Sequence, residues 1–212
     1  MIKRLIFDLD NTLIIWKDEY VNALIKVIKK HNLNIDYNPI NDIIENYEKN
    51  HDTLTKQSLL DEINIKCNLN LSLDFIEDLI EEQKYLSEYR EDIVNIFDDL
   101  SKKYEIVLLT NWYLDTQSKR LEILGILKYF KELYGPEKNK LKPSIEAFNM
   151  ACSNYKYNEC VMIGDNVDID IKVPKKLGIN TILVDYRNKY NDIEYIKINN
   201  LKELGSVING IK

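Results

Sequence analysis

Leu5-Ile6-Phe7-Asp8-Leu9-Asp10-Asn11-Thr12 is the stretch that decides the fold, because a short apolar run ends abruptly in two acids. A continuous apolar run of this length is typical of a strand that is buried on both faces of a parallel sheet. Such a strand delivers Asp8 to its carboxyl end. The sequence therefore predicts an α/β core in which the sheet edge next to Asp8 binds ligands.

Three further apolar runs have the same form, and they are Ile106–Leu109, Val161–Ile163 and Thr181–Val184. The first run ends at Thr110, and the second is followed by Gly164 and Asp165. Helical patterns lie between the runs, at about 115–127, 143–154 and 171–177. Strands that alternate with helices indicate a doubly wound parallel sheet with helices on both faces.

The periodicity is helical between about residue 18 and residue 95. Apolar residues recur at helical spacing in four stretches, so we expect about four helices and no strand in this insert. The insert interrupts the core directly after the first strand, which places it beside Asp8. The chain is thus predicted to have a core domain of residues 1–15 and 96–212 and a helical domain of residues 16–95.

The composition of the chain argues against several classes of protein. Its 212 residues carry a net charge of -6, whereas general nucleic-acid binders need a basic face. No stretch reaches the roughly 18 consecutive apolar residues of a membrane-spanning helix. The three cysteines fit neither a zinc site nor a disulfide framework, and we expect them to be structural thiols. These features predict a cytoplasmic protein that binds neither nucleic acid nor membranes.

The polar residues at the strand ends are predicted to converge on one edge of the sheet, and they are Asp8, Asp10, Thr110 and Asp165. A lysine from a later loop would complete the set. Phosphoryl transfer fits these residue types, because a carboxylate can attack phosphorus while Mg²⁺ and an ammonium group offset the phosphate charge.

Four motifs of the chain resemble those of the haloacid dehalogenase superfamily and occur in the order of that family. They are Asp8-Leu9-Asp10-Asn11-Thr12, Leu108-Leu109-Thr110-Asn111, Lys142-Pro143 and Gly164–Asp170. The match covers about residues 1–15 and 100–187, and the insert is similar in position and length to the helical (type C1) cap of subfamily I. The resemblance implies a phosphatase that acts on small phosphorylated metabolites through an aspartyl-phosphate.

The resemblance also implies a magnesium site built from acids. Asp8 would be both the nucleophile and a metal ligand, and Asp165 would complete the site. Asp10 would bind the metal through its backbone carbonyl. Its free side chain would protonate the leaving oxygen and then activate water against the aspartyl-phosphate.

The second and third motifs would bind the phosphate. The resemblance implies that Thr110 and the amide of Asn111 contact a phosphate oxygen, and that Lys142 neutralises charge between the nucleophile and the phosphate. Lys138 and Lys140 are rival candidates, but the proline that follows Lys142 favours Lys142.

The fourth motif leaves its second acid open. Asp170 lies five residues after the first acid of this motif, and it is favoured over Asp168 as a group that supports the metal site. Asn166 stands where the family more often has serine, and its side chain is expected to hydrogen-bond the surroundings of the metal.

Several functions remain open on the sequence alone. A hydrolytic dehalogenase would lack the acid at position 10, so Asp10 argues against that reaction. A phosphomutase, a phosphonate hydrolase and a non-catalytic binding module with the same fold are alternatives to the phosphatase. Trp16, Trp112 and Tyr113 follow the predicted site strands and either line the substrate pocket or pack in the core.

Overall fold

The computed structural model describes residues 1–15, 19–85, 88–89, 92–190 and 194–211, with the backbone alone for residues 19, 88 and 89. Trp16 lies outside these residues. The strands are β1 (Arg4–Phe7), β2 (Ile14–Ile15), β3 (Glu88–Tyr89), β4 (Glu105–Leu109), β5 (Phe130–Tyr134), β6 (Cys160–Gly164), β7 (Asn180–Val184) and β8 (Lys197–Ile198). The helices are α1 (Glu19–Lys30), α2 (Asn38–Asn50), α3 (Lys56–Cys67), α4 (Leu73–Gln83), α5 (Ile93–Ser101), α6 (Leu114–Ile123), α7 (Ile145–Cys152), α8 (Lys172–Leu177) and α9 (Leu204–Gly210).

Six parallel strands form the central sheet in the order β5-β4-β1-β6-β7-β8. Strand β1 lies in the middle of the sheet, and all four of its residues are buried. Its last residue, Phe7, is level with Leu108 of β4 and Ile163 of β6. Because these strands are parallel, the residues that follow them meet at the same edge of the sheet.

Helices cover both faces of this sheet, which confirms the predicted doubly wound α/β class. Buried residues of α5 and α9, such as Phe97 and Leu204, pack against one face. Buried residues of α7, such as Phe148, pack against the other face. The apolar strand runs read from the sequence are therefore explained by burial from both sides.

The inserted helices α1–α4 bury their apolar faces against one another, in the number that the periodicity predicts. Their buried cluster includes Leu24 of α1, Ile44 of α2, Leu60 of α3 and Leu79 of α4. Trp112 from the loop after β4 is part of the same cluster, so the insert rests on the edge of the sheet next to the strand ends.

The expectation of no strand in the insert is wrong at one point, because Glu88–Tyr89 pairs antiparallel with Ile14–Ile15. A two-residue strand is too short to leave a periodicity in the sequence. Strand β5 was also missed, because four of its five residues are not buried and two of these, Lys131 and Glu132, interrupt the apolar pattern. It lies at the edge of the sheet, where solvent reaches one side.

Within the described part of the chain, no helix has both the length and the apolar character needed to cross a bilayer. The three cysteines are free thiols, and two of them, Cys152 and Cys160, are buried. The third, Cys67, is half-buried at the end of α3.

Candidate active site

A cavity of about 320 Å³ opens at the carboxyl edge of the sheet, between the core strands and helix α2. All eight residues that the sequence singles out for the site line it, and they are Asp8, Asp10, Thr110, Asn111, Lys142, Asp165, Asn166 and Asp170. Three of the strands end level with one another at this edge. The fold therefore brings together polar side chains that are far apart in the sequence.

The ammonium group of Lys142 lies between two carboxylates. Its Nζ atom donates to Asp8 Oδ1 and to Asp170 Oδ1, both at 2.7 Å, and the lysine side chain is only 2% exposed. Burial alone lowers the pKa of Lys142, but the charges of Asp170 and Asp8 outweigh it and raise the pKa above its usual value. Lys142 is therefore a charged group held directly against Asp8.

The two rival lysines are placed elsewhere. Lys138 Nζ donates to the carbonyl oxygen of Leu133 at 3.4 Å, and Lys140 Nζ lies 3.7 Å from Glu146 Oε1. Neither lysine lines the cavity.

Asp8, Asp165 and Asp170 form a compact group of carboxylates, with one oxygen of each within 4.8 Å of the others. Burial raises the pKa of Asp8 to about 7 and that of Asp165 to about 8, and repulsion among the acids adds to this effect. A divalent cation would offset the repulsion, and carboxylate oxygens are the ligands that Mg²⁺ prefers. The residues present therefore fit a magnesium site.

Asp170, rather than Asp168, is the fourth-motif acid that faces the cavity. Asp170 is 1% exposed and accepts a hydrogen bond from the backbone N–H of Asn166 at 3.1 Å. Asp168 faces solvent and pairs with a neighbouring lysine. Gly164 allows the close approach of Asp170, because a Cβ atom at position 164 would lie 2.5 Å from the Cβ of Asp170. Carbon atoms pack at about 3.5–4.0 Å, so a larger residue would displace Asp170.

The side chain of Asn166 caps the turn that follows β6. Its Oδ1 atom accepts hydrogen bonds from the backbone N–H groups of Asp168 at 3.0 Å and Ile169 at 3.3 Å. The side chain of Asn166 thus orders the loop, and its backbone N–H contacts Asp170.

Two residues of α6 that sequence reasoning missed hold Asp10. Arg120 Nη1 donates to Asp10 Oδ1 and Gln117 Nε2 donates to Asp10 Oδ2, both at 2.7 Å. Gln117 Nε2 also donates to Thr110 Oγ1 at 2.9 Å, and Arg120 is fully buried. Both oxygens of Asp10 are thus fixed by groups that α6 presents from the core side of the site.

The sequence of α6 gives no local signal for these residues, because their burial is visible only in the structure. Its buried positions are Thr116, Gln117, Arg120 and Leu121, so the face that packs on the core is mostly polar. Buried arginine and glutamine side chains need hydrogen-bond partners, and an acid at a neighbouring strand end supplies one.

Asn111 joins the core to helix α2. Its Nδ2 atom donates to Glu48 Oε2 at 2.7 Å and to the carbonyl oxygen of Lys142 at 2.8 Å. Its Oδ1 atom accepts from the backbone N–H of Lys142 at 2.7 Å. Burial raises the pKa of Glu48 above its usual range, although the hydrogen bond from Asn111 opposes this effect. The Asn111 side chain therefore fixes the Lys142 loop and one glutamate of the insert together.

Trp112 and Tyr113 differ in their placement. Trp112 lines the cavity and meets the ring of Tyr20 edge-on at a centroid distance of 5.1 Å. Tyr113 is buried among the inserted helices and does not line the cavity. Trp112 thus both lines the cavity and packs in the core, whereas Tyr113 only packs. The third aromatic candidate, Trp16, is not among the described residues.

Comparison with known proteins gives a consistent set of relatives. The family model for haloacid dehalogenase-like hydrolases matches residues 2–178. The curated glyceraldehyde 3-phosphate phosphatase of Methanocaldococcus jannaschii is 30% identical, and the alignment covers 100% of this chain and 99% of that protein.

Two solved structures share the fold over nearly their whole length. The magnesium-bound HAD-hydrolase YfnB from Bacillus subtilis superimposes with a TM-score of 0.77 at 20% identity, and the match covers 98% of this chain and 99% of that one. The 2-haloacid dehalogenase from Pseudomonas syringae pv. Tomato gives a TM-score of 0.77 at 19% identity, with 99% of both chains covered. At these identities the likeness shows the fold alone.

Proposed function

This chain belongs to the haloacid dehalogenase-like hydrolase family and is a phosphatase of that family, and we propose that it hydrolyses small phosphomonoesters with Mg²⁺ through an aspartyl-phosphate on Asp8. The observation that carries this proposal is the 2.7 Å contact between the buried Lys142 and Asp8, which is one of a group of three carboxylates. A relative named glyceraldehyde 3-phosphate phosphatase supports a small substrate.

We assign the metal to Asp8, Asp165 and the backbone carbonyl of Asp10. When bound, Mg²⁺ supplies positive charge that offsets the phosphate and the nucleophile. Asp170 Oδ1 accepts a hydrogen bond from Lys142 Nζ at 2.7 Å, and the backbone N–H of Asn166 holds its other oxygen at 3.1 Å. We therefore give Asp170 the role of holding Lys142 in place.

Metal binding predicts a change in thermal stability. Adding Mg²⁺ at about 100 times its dissociation constant should raise the melting temperature of the wild-type protein by about 5–10 °C. The Asp165→Asn variant should lose most of this shift, because a ligand and its charge are removed. Asp168→Asn is the matched control, since Asp168 is exposed and pairs with Lys172, and it should respond like the wild type. An equal shift in Asp165→Asn and the wild type would contradict the assignment of the ligand.

In the first chemical step, an oxygen of Asp8 bonds to phosphorus as the bond from phosphorus to the leaving oxygen breaks. Asp10 transfers a proton to that oxygen, and Lys142 stabilises the charge on Asp8 and the phosphate. The Thr110 hydroxyl, which accepts hydrogen bonds from Gln117 and the Trp112 amide, donates to a phosphate oxygen in this proposal.

In the second step, the Asp10 carboxylate takes a proton from water. The water oxygen bonds to phosphorus, and the bond between phosphorus and Asp8 breaks, which restores the carboxylate. The same side chain thus serves as acid and then as base, and the products are inorganic phosphate and the alcohol.

Arg120 and Gln117 are positioning residues for Asp10 in this scheme. We expect Arg120→Gln to lower kcat by about 10- to 100-fold with little change in KM, because a displaced acid is misaligned with the leaving oxygen. The loss should be larger for alkyl phosphates, which need a protonated leaving oxygen, than for 4-nitrophenyl phosphate. Lys119→Gln, at the preceding and more exposed position of α6, is the matched control. Steady-state kinetics on both substrates would contradict the role if the two losses were equal.

Phosphate release from a panel of small phosphomonoesters tests the proposed function. The panel holds sugar phosphates, glycerol phosphates, nucleoside monophosphates and 4-nitrophenyl phosphate, each with Mg²⁺ and with a chelator. Release that needs Mg²⁺ and is absent from the Asp8→Asn blank is the expected result. Metal-independent release, or equal release from the blank, would contradict it.

We also propose a two-domain division, with residues 1–15 and 96–212 as the core and residues 16–95 as the cap. Separate buried clusters in the inserted helices and around the sheet support it. Ile93, at the start of α5, packs with the core cluster, which favours moving the second boundary from residue 96 to the beginning of α5.

A further inference from the structure

The wall of the cavity that faces the catalytic strand ends is made by the cap. Helix α2 contributes Ile44, Glu45, Tyr47 and Glu48 to it, and Leu54 follows in the loop after α2. This wall meets the part of a substrate that lies beyond the phosphate, because the phosphate itself is held at the strand ends. The side chains of this wall therefore contact the leaving group of the substrate.

The cavity has a strongly acidic lining. Its carboxylates are Asp8, Asp10, Glu45, Glu48, Asp165 and Asp170. Among the lining residues that the structure describes, Lys142 is the one cationic side chain, and it is already engaged by two of these acids at 2.7 Å. A bound Mg²⁺ and a phosphate dianion would add charges that cancel. No described lining residue is thus left to neutralise a second anionic group of a substrate.

Glu48 is held in a defined orientation. Its Oε2 atom accepts from Asn111 at 2.7 Å, and Asn111 is itself fixed by two hydrogen bonds to the backbone of Lys142. Within the described ranges of the chain, Glu48 Oε1 makes no hydrogen bond, although the residue lines the cavity. An ionised carboxylate can only accept hydrogen bonds, so Oε1 is suited to a hydroxyl donor on a ligand.

Apolar groups line the same cavity as this carboxylate. Leu54, Leu141 and the ring of Trp112 line the same cavity, and its volume of about 320 Å³ suits a compact molecule. Apolar surface and an oriented acceptor in one cavity match a short carbon skeleton that carries hydroxyl groups.

We propose that this pocket selects phosphomonoesters whose leaving group carries hydroxyl groups and no second anionic group, and that Glu48 is the residue that imposes this selection. The inference rests on the proposed phosphatase function of the same site. Glu48 Oε1 accepts a hydrogen bond from a hydroxyl of the leaving group. The same charge repels a carboxylate or a second phosphate in that position.

A matched pair of substrates tests the selection. Glycerol 3-phosphate and 3-phosphoglycerate differ in a hydroxymethyl group against a carboxylate. We expect the wild-type kcat/KM to favour glycerol 3-phosphate by at least about 100-fold, because like charges meet in the second case. Glu48→Gln should lower this ratio by about tenfold or more, since the amide keeps the shape but removes the charge. Asp42→Asn, an exposed acid on the same helix, removes one charge away from the cavity and should keep the wild-type ratio.

The outcomes separate this inference from the function on which it rests. Phosphate release with a wild-type preference for 3-phosphoglycerate would overturn the inference and leave the phosphatase in place. An unchanged ratio in folded Glu48→Gln would remove Glu48 from the role, and the wild-type ratio remains a test if that variant does not fold. No release from either substrate or from 4-nitrophenyl phosphate would overturn the function and the inference together.

Discussion

Asp8→Asn is expected to lower kcat by about 10⁴-fold or more, to the level of the assay blank. Asparagine has nearly the same size as aspartate, but its amide does not form the acyl phosphate through which the reaction is proposed to pass. The change also removes the negative charge that Lys142 contacts at 2.7 Å and one oxygen ligand of the proposed metal. Asp170 also contacts Lys142 at 2.7 Å, but its proposed role is to hold the lysine and not to attack phosphorus.

The fold should survive this substitution. Asp8 is buried, and its burial raises the pKa of its carboxyl to about 7, so its ionised form is less favourable in the metal-free protein than in water. A neutral amide in this position removes that cost, and its oxygen still accepts from Thr12 or Lys142. Circular dichroism and the melting temperature should therefore match the wild type within a few degrees. Wild-type turnover by Asp8→Asn would show that the covalent mechanism is wrong.

Asp10→Asn is expected to lower kcat by about 10²- to 10⁴-fold with little change in KM, because general acid and base catalysis acts in the transition state. The amide has no proton to transfer and cannot accept one from water. Its size is preserved, and Arg120 and Gln117, which hold Asp10 at 2.7 Å, keep one acceptor on the side chain.

The rate lost in Asp10→Asn should depend on the leaving group of the substrate. An alkyl phosphate needs a proton on its leaving oxygen, whereas 4-nitrophenyl phosphate departs as a stable anion. Asp10→Asn should therefore lose much more of its first-step rate on the alkyl ester than on the nitrophenyl ester. Steady-state and burst kinetics on both esters measure this difference. A change in KM with an unchanged kcat would contradict the role of Asp10 as general acid and base.

The sequence predicted the sheet edge of the site because its signals are local. Asp8, Thr110 and Asp165 each follow an apolar run, and parallel strands place their carboxyl ends together. The position of Lys142 came from the motif and its proline, because a loop lysine has no periodicity of its own. Its contact with Asp8 spans 134 residues of sequence.

The remaining features of the site depend on contacts between distant parts of the chain. The hydrogen bond from Asn111 to Glu48 joins the core to the cap. No local sequence pattern marks either residue as a partner of the other. The motif spacing favoured Asp170 over Asp168, but the physical reason for the close approach of Asp170, the absence of a side chain at Gly164, is visible only once the turn is built. Arg120 was hidden because a buried arginine on a helix looks like a surface residue until its partner Asp10 is placed.

Locating the phosphoryl group after a single turnover tests the covalent mechanism most directly. The Asp10→Asn variant, mixed with phosphorus-labelled 4-nitrophenyl phosphate and Mg²⁺ and quenched within milliseconds, should release about one nitrophenolate per protein in a burst. The label should then lie on the tryptic peptide of residues 5–17, which contains Asp8, and hydroxylamine should remove it. Label on another peptide would contradict attack by Asp8. Attack by Asp8 would also be contradicted if phosphate and nitrophenolate were released at the same rate and no protein carried the label.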